Sequence, residues 1–216
     1  MTDFTEARRK MVDGQIRPAD VTDLGLIAAL LDVRREAFVP PAMAALAYLD
    51  NEVALGGDDR RLLKPMLLAK LIQAAEVGPN DRVLVVGAGT GYSAAILGRL
   101  AHEVVALEET APLARRAMDA LREMRNVTVV TGGLTAGWSA AGPYDVILVD
   151  GAVEEAPQNL LAQLAERGRL VCVLGAGPAG KAMVFRRSGS EVGSRPMFDA
   201  AAAVLPGFAK APVFAF

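Results

Sequence analysis

An α/β fold with a mostly parallel sheet, a closing antiparallel hairpin and an N-terminal helical cap is predicted by three features of this sequence. From Asp81 onward, short apolar runs alternate with helix-like segments, the rhythm of parallel strands joined by crossover helices. One of those runs, 83–86, enters a turn with glycine at 87, 89 and 91 and continues into a helix. The part before Asp81 reads as helical. These two textures divide the 216-residue chain into a cap, residues 1–78, and a nucleotide-type domain, residues 79–216.

Taken in order, Thr22 is placed to cap a helix in which Leu24, Ile27 and Leu31 share a face. Pro40-Pro41 ends the following segment, and 42–49 resumes helical spacing. The polar stretch Gly56-Gly57-Asp58-Asp59-Arg60-Arg61 breaks the pattern, and Pro65 suits the first turn of a helix reaching about Ala75. Strands are then expected at 82–86, 103–107, 128–130, 146–149 and 170–174, with helices near 92–100, 111–124 and 158–165. Segments 182–187 and 191–198 flank Ser188-Gly189-Ser190, the spacing of a hairpin that closes the sheet.

Composition narrows the function classes. The formal charge is −2, and the pairs Arg8-Arg9, Arg34-Arg35, Arg60-Arg61, Arg115-Arg116 and Arg186-Arg187 lie scattered among acids. They read as solvated faces, so no nucleic-acid partner is expected. Residues 1–18 lack the apolar core of a secretory signal, and no apolar run approaches the roughly 20 residues that span a bilayer. The expectation is a soluble, cytoplasmic protein with no membrane partner. With one cysteine, Cys172, and one histidine, His102, there is no material for an intrachain disulfide or a Cys/His metal cluster. Cys172 sits in an apolar run and reads as a buried, inert thiol.

The candidate cofactor residues follow from the glycine turn. Gly87, Gly89 and Gly91 let the backbone turn sharply and approach a ligand, while Ala88 and Tyr92 complete the loop and open a helix with free N–H groups. Glu108 ends the next strand about 20 residues on, where a carboxylate can accept hydrogen bonds from both ribose hydroxyls of an adenosine. A dinucleotide fingerprint would put its third glycine where Tyr92 stands; Gly-x-Gly-x-Gly is the S-adenosylmethionine form. Tyr92 and the helical cap thus disfavour a nicotinamide oxidoreductase.

The motifs Met11-Val12-x-x-Gln15-Ile16-Arg17, Thr22-Asp23, Phe38-Val39-Pro40, Ala47-Tyr48-Leu49-Asp50, the Pro65 helix, the loop 83–92, Pro143-Tyr144-Asp145-Val146-Ile147 and Gly168-Arg169-Leu170-Val171 occur in a recognisable order. In these the chain resembles the protein-L-isoaspartate O-methyltransferase family over nearly its entire length. The resemblance implies a Rossmann-like class I methyltransferase sheet and transfer of a methyl group from S-adenosylmethionine, leaving S-adenosylhomocysteine. It also implies an isoaspartyl protein or peptide as acceptor, and no metal.

At three places the chain departs from the family pattern. The family's acceptor segment Gln-Thr-Ile-Ser-Gln-Pro is here Arg60-Arg61-Leu62-Leu63-Lys64-Pro65, so Leu63 takes the position of a serine at the methyl-transfer site. Val85 stands where an acid is usual, and the Gly-Asp-Gly on the adenine side reads Gly132-Gly133-Leu134. Arg60, Arg61 and Lys64 become candidates for pairing with an anionic substrate group, or form an exposed basic loop. Asp150 follows the fourth strand as a functional residue or as a capping acid before Gly151. A relative that methylates another acceptor, such as a small molecule, and a non-catalytic binder of S-adenosylmethionine or S-adenosylhomocysteine stay open beside the leading reading.

Overall fold

A computed structural model describes residues 3–56 and 60–210. Buried β-branched runs form the sheet centre. β3 (Arg82–Val86) pairs in parallel with β4 (Glu103–Glu108) on one side and β6 (Tyr144–Val153) on the other, β4 pairs with β5 (Val127–Thr131), and β6 with β7 (Leu164–Leu174). β8 (Lys181–Ser188) and β9 (Glu191–Asp199) add antiparallel strands beyond β7, giving the order β5-β4-β3-β6-β7-β8-β9. The chain leaves β3 for β4 on one side and later returns to lay β6 on the other, so a crevice opens at the carboxyl ends of β3 and β6. Open α/β sheets bind ligands at that switch point. A register shift between Leu148 and Ala152 bulges β6 there, which re-aims Asp150 and Gly151.

Three helices, α4 (Tyr92–Leu97), α5 (Ala111–Leu121) and α6 (Gln158–Leu161), connect the strands. In the cap, α1 (Phe4–Met11), α2 (Leu24–Asp32) and α3 (Pro65–Ala74) precede the sheet in the chain, and β1 (Val53–Ala54) pairs with β2 (Arg61–Leu62). Gly57, Asp58 and Asp59 of the predicted polar break lie outside the described residues. One apolar cluster runs from Met11, Leu30 and Leu68 of the cap to Val83, Val85 and Val146 of the sheet. A second, on the other sheet face, joins Leu84, Ile147, Leu160, Cys172 and Leu205. Cys172 is fully buried, and burial pushes its thiol up to about 12, as expected of an inert cysteine. Among the described residues, no helix is long and apolar enough to cross a membrane.

The Gly168-Arg169 motif has a mechanical explanation. A Cβ on residue 168 would lie 2.8 Å from the Tyr144 carbonyl and 2.9 Å from that of Ala165, backbone atoms that cannot move aside cheaply. Arg169 donates to the carbonyls of Ala75 (2.6 Å), Glu76 (2.5 Å) and Asp145 (3.2 Å) and to Asp81 Oδ2 (2.6 Å). It thus satisfies carbonyls at the end of α3, which no helical N–H reaches, and pins that helix to the base of the sheet.

Several local expectations are corrected. Asp23, not Thr22, caps α2: its carboxylate accepts from Leu26 N at 2.8 Å, whereas the Thr22 N–H donates to Gln73 Oε1. The buried face of α2 is Leu26, Ile27, Ala29 and Leu30, while Leu24 and Leu31 are exposed. Segment 42–49 holds only a tight helical turn, Pro41–Leu46. The helices expected to reach 100, 124 and 165 stop at Leu97, Leu121 and Leu161. The last yields because Gln163 O already accepts from Tyr144 N, which starts the pairing of β6 with β7.

Candidate active site

Positive φ angles at Gly87 (79°), Gly89 (57°) and Gly91 (97°) carry the chain from β3 into α4, a path that side chains with a Cβ adopt only under strain. The turn is fastened to β4 by bonds from Gly87 N (2.9 Å) and Ala88 N (3.0 Å) to Leu107 O. Ala88 and Tyr92 are buried beneath it. Glu108, the last residue of β4, is fully buried beside the loop. Its Oε2 accepts from Gly89 N at 2.7 Å, and its Oε1 accepts from the N–H groups of Glu109 and Thr110 at 3.0 Å each. Gly132 N donates to Glu108 O at 3.2 Å, so the next turn begins at the same strand end. Gly133 is exposed there, with open space where a Cβ would stand.

Arg60, expected to face a substrate or solvent, is instead buried in the crevice. Its Nη1 donates to Glu108 Oε1 at 2.7 Å and its Nη2 to Gly87 O at 2.8 Å. Apolar side chains accompany it. A Cβ added to Gly87 would lie 2.8 Å from Leu205, one on Gly89 2.8 Å from Leu55, and one on Gly151 2.6 Å from Leu205. Leu205 is held by its N–H to Ala152 O (2.9 Å), and Leu55 by Arg116 Nη1, which donates to its carbonyl at 2.8 Å.

Asp150 lies in the β6 bulge, buried, with Ser93 Oγ donating to its Oδ2 at 2.5 Å. Burial pushes its carboxyl up to about 6, against the opposing pull of the Ser93 bond and of the Arg60 and Arg35 charges. Arg35 is fully buried as well. It donates to Ala47 O (2.7 Å) and Leu63 O (2.5 Å), and its guanidinium stacks over the Tyr92 ring, 4.7 Å from the centroid. Arg35 Nη1, Tyr92 Oη and Asp150 Oδ1 are buried without a hydrogen-bond partner among the described residues. A cavity of about 240 Å3 adjoins this cluster, lined by Glu52, Arg60, Arg61, Leu63, Asp150 and Leu205 among others. Arg61 is exposed at its edge, and Lys64 is half-buried outside it.

The structure therefore gathers Gly87, Ala88, Gly89, Glu108, Arg60, Leu63 and Asp150 at one crevice, with Arg61 at the rim. Sequence reasoning missed Arg35, Leu55, Ser93 and Leu205. Reading the basic pairs as solvated faces fails for Arg35 and Arg60. The available signal was the run of core residues around Arg35, Val33 and Phe38-Val39, and, for Leu205, an apolar run ending at Pro206-Gly207 after the last strand.

A mostly parallel sheet closed by a hairpin, with a glycine loop after its central strand and a carboxylate ending the next, defines the fold as that of a class I methyltransferase. The family model for protein-L-isoaspartate(D-aspartate) O-methyltransferase matches residues 6–199. A protein-L-isoaspartate O-methyltransferase of Methanoregula boonei is 39% identical over 188 residues, 86% of each chain. One of Methylorubrum extorquens is 40% identical over 183 residues, 84% of this chain and 79% of the relative. Among solved structures, a protein-L-isoaspartate O-methyltransferase superposes with a TM-score of 0.81 at 25% identity, over 93% of this chain and 66% of the other. A Plasmodium falciparum protein solved with S-adenosyl-L-homocysteine shares the fold, with a TM-score of 0.78 at 16% identity over 95% of this chain and 99% of that one. The chain belongs to the protein-L-isoaspartate(D-aspartate) O-methyltransferase family.

Proposed function

We propose that this chain is a cytoplasmic S-adenosylmethionine-dependent methyltransferase that esterifies the α-carboxyl of L-isoaspartyl residues in damaged proteins and peptides. The observation that carries the reading is the set of three positive-φ glycines beside a buried strand-end carboxylate at the sheet's switch point, in a chain of this family. Residues 79–216 would hold the cofactor and residues 1–78 present the acceptor. Gly87, Ala88, Gly89 and Gly91 would offer backbone to the cofactor, Tyr92 would support the loop from below, Glu108 would take the ribose hydroxyls, and the open turn at Gly133 would border the adenine. These residues suit the group chemically, while in this structure Leu55, Arg60 and Leu205 fill the space over the loop.

S-adenosylmethionine supplies an electrophilic methyl on a sulfonium. The chain's residues have little bond chemistry to add, because a carboxylate with a reference pKa near 4 is ionised at neutral pH and needs no general base. Their work is orientation and exclusion of water. Arg61, with Lys64 nearby, supplies positive charge that attracts the acceptor carboxylate. Leu63 and buried Asp150 set the shape and polarity of the cavity. A second reading, a proton-bearing acceptor such as a small-molecule hydroxyl or amine, is favoured by one observation: the cavity has a carboxyl, Asp150, and no Leu63 hydroxyl.

The test is methyl transfer from labelled S-adenosylmethionine to an isoaspartyl peptide beside its aspartyl isomer. Transfer to the isoaspartyl form alone is expected. Binding of the cofactor with transfer to neither would reject this acceptor. Restoring the family pattern with Leu63→Ser and Lys64→Gln is expected to raise the isoaspartyl rate at least about tenfold, because misorientation of about 1 Å costs on the order of a hundredfold. S-adenosylmethionine affinity should stay near the original value. A folded double variant with no rate gain would favour the second reading.

A further inference from the structure

The carboxylate assigned above to the ribose already accepts four hydrogen bonds from the chain itself, three of them on Oε1. A carboxylate offers about four acceptor sites. On Glu108, Oε1 accepts from the Glu109 and Thr110 N–H groups and from the Arg60 guanidinium, which crowds it, while Oε2 accepts from Gly89 N–H alone. Arg60 also spans to the Gly87 carbonyl, so one planar fork bridges the ends of β3 and β4. Leu205 packs against Gly87 and Gly151, and Leu55 against Gly89, completing a cover anchored on α5 and β6.

We infer that Arg60 is an internal ligand of the cofactor site, holding the ribose position on Glu108 beneath Leu55 and Leu205, so that S-adenosylmethionine binds only after Arg60 leaves. The inference rests on the reading of Glu108 as the ribose carboxylate. The exchange is chemically balanced. Ribose hydroxyls can donate to the same oxygens, the three backbone N–H groups keep Glu108 satisfied while Arg60 departs, and the released guanidinium regains its hydration. Apparent affinity then equals the intrinsic affinity reduced by the open fraction, and a change that empties the closed state tightens binding by that factor.

The experiment is calorimetric titration of S-adenosylhomocysteine into the full chain and its Arg60→Gln, Leu205→Ala and Arg60→Gln/Glu108→Gln variants, each first checked for a cooperative thermal transition. Arg60→Gln is expected to bind at least about tenfold tighter than the original chain, Leu205→Ala also tighter, and the double variant to lose the gain. A folded Arg60→Gln chain that binds no more tightly than the original would overturn the inference while leaving the cofactor reading intact. Equal affinity of Arg60→Gln and the double variant would remove Glu108 as ribose partner and sink both, as would an absence of binding in every folded variant. Should Arg60→Gln fail to fold, Arg60→Lys carries the test: it keeps the charge without the two-pronged geometry, an intermediate gain is expected, and unchanged affinity overturns the inference.

Discussion

Replacing Arg35 by methionine is expected to lower the unfolding free energy by about 3 kcal/mol, which for a chain of this size lowers the melting temperature by roughly 6–12 °C. Two opposed effects decide the magnitude. Among the described residues, the buried guanidinium has no carboxylate bonded to it and one nitrogen unpartnered, and desolvation lowers its pKa, so removing the charge relieves a cost. Against this stand two charge-assisted bonds to the Ala47 and Leu63 carbonyls, at 2.7 and 2.5 Å, and the stack on Tyr92. Each such bond contributes about 1.5–3 kcal/mol, and methionine would leave both carbonyls buried and unpaired. The bonds win, and Arg35→Lys should fall between, since an ammonium cannot repeat the forked geometry. Thermal unfolding of the three proteins at one pH decides the matter. A methionine variant within about 1 kcal/mol of the original would mean that desolvation dominates.

Asp150→Asn is expected to stabilise the protein by up to about 3 kcal/mol at pH 8 and to change little at pH 4. The folded carboxyl titrates near 6, above its ordinary value of 3.8, because burial disfavours the charged form. Below about pH 4 both folded and unfolded chains carry the proton, and the group contributes no difference. Between about 4 and 6 the unfolded chain ionises first, so stability falls as pH rises; above 6 the full penalty persists. Asparagine cannot ionise and can still accept from Ser93. Urea unfolding at intervals from pH 4 to 8 should therefore show two curves that meet at the acid end and diverge upward. Curves that stay together, or an original chain that is the more stable at pH 8, would show that the Arg35 and Arg60 charges already offset the burial.

The parts legible in the sequence are those written in local pattern. The parallel core, the closing hairpin, the Pro65 helix, the glycine turn and the strand-end acid each depend on residues within a few positions of one another. Arg60 and Arg35 were not legible because a buried arginine and a solvated one have the same local spelling. What distinguishes them is an acceptor 48 positions away in one case and two carbonyls 12 and 28 positions away in the other. Leu55 and Leu205 were missed for the same reason: their partners are glycines in distant loops. The short α6 shows long-range pairing overriding helical spacing, since Tyr144 of β6 claims Gln163 and Leu164 before another turn can form.

The lone thiol of Cys172 gives this molecule a built-in clock. It lies near the carboxyl end of β7, paired on the β8 side and covered by the sheet's second core, and its protonated state makes it a poor nucleophile in the folded chain. Its cover is the β8 pairing and the second core, neither of which includes Arg60 or Glu108, so its alkylation is expected to require separation of β7 from its neighbours. Alkylation of the unmodified protein therefore times global opening separately from opening of the cofactor site, with no engineered label in either case.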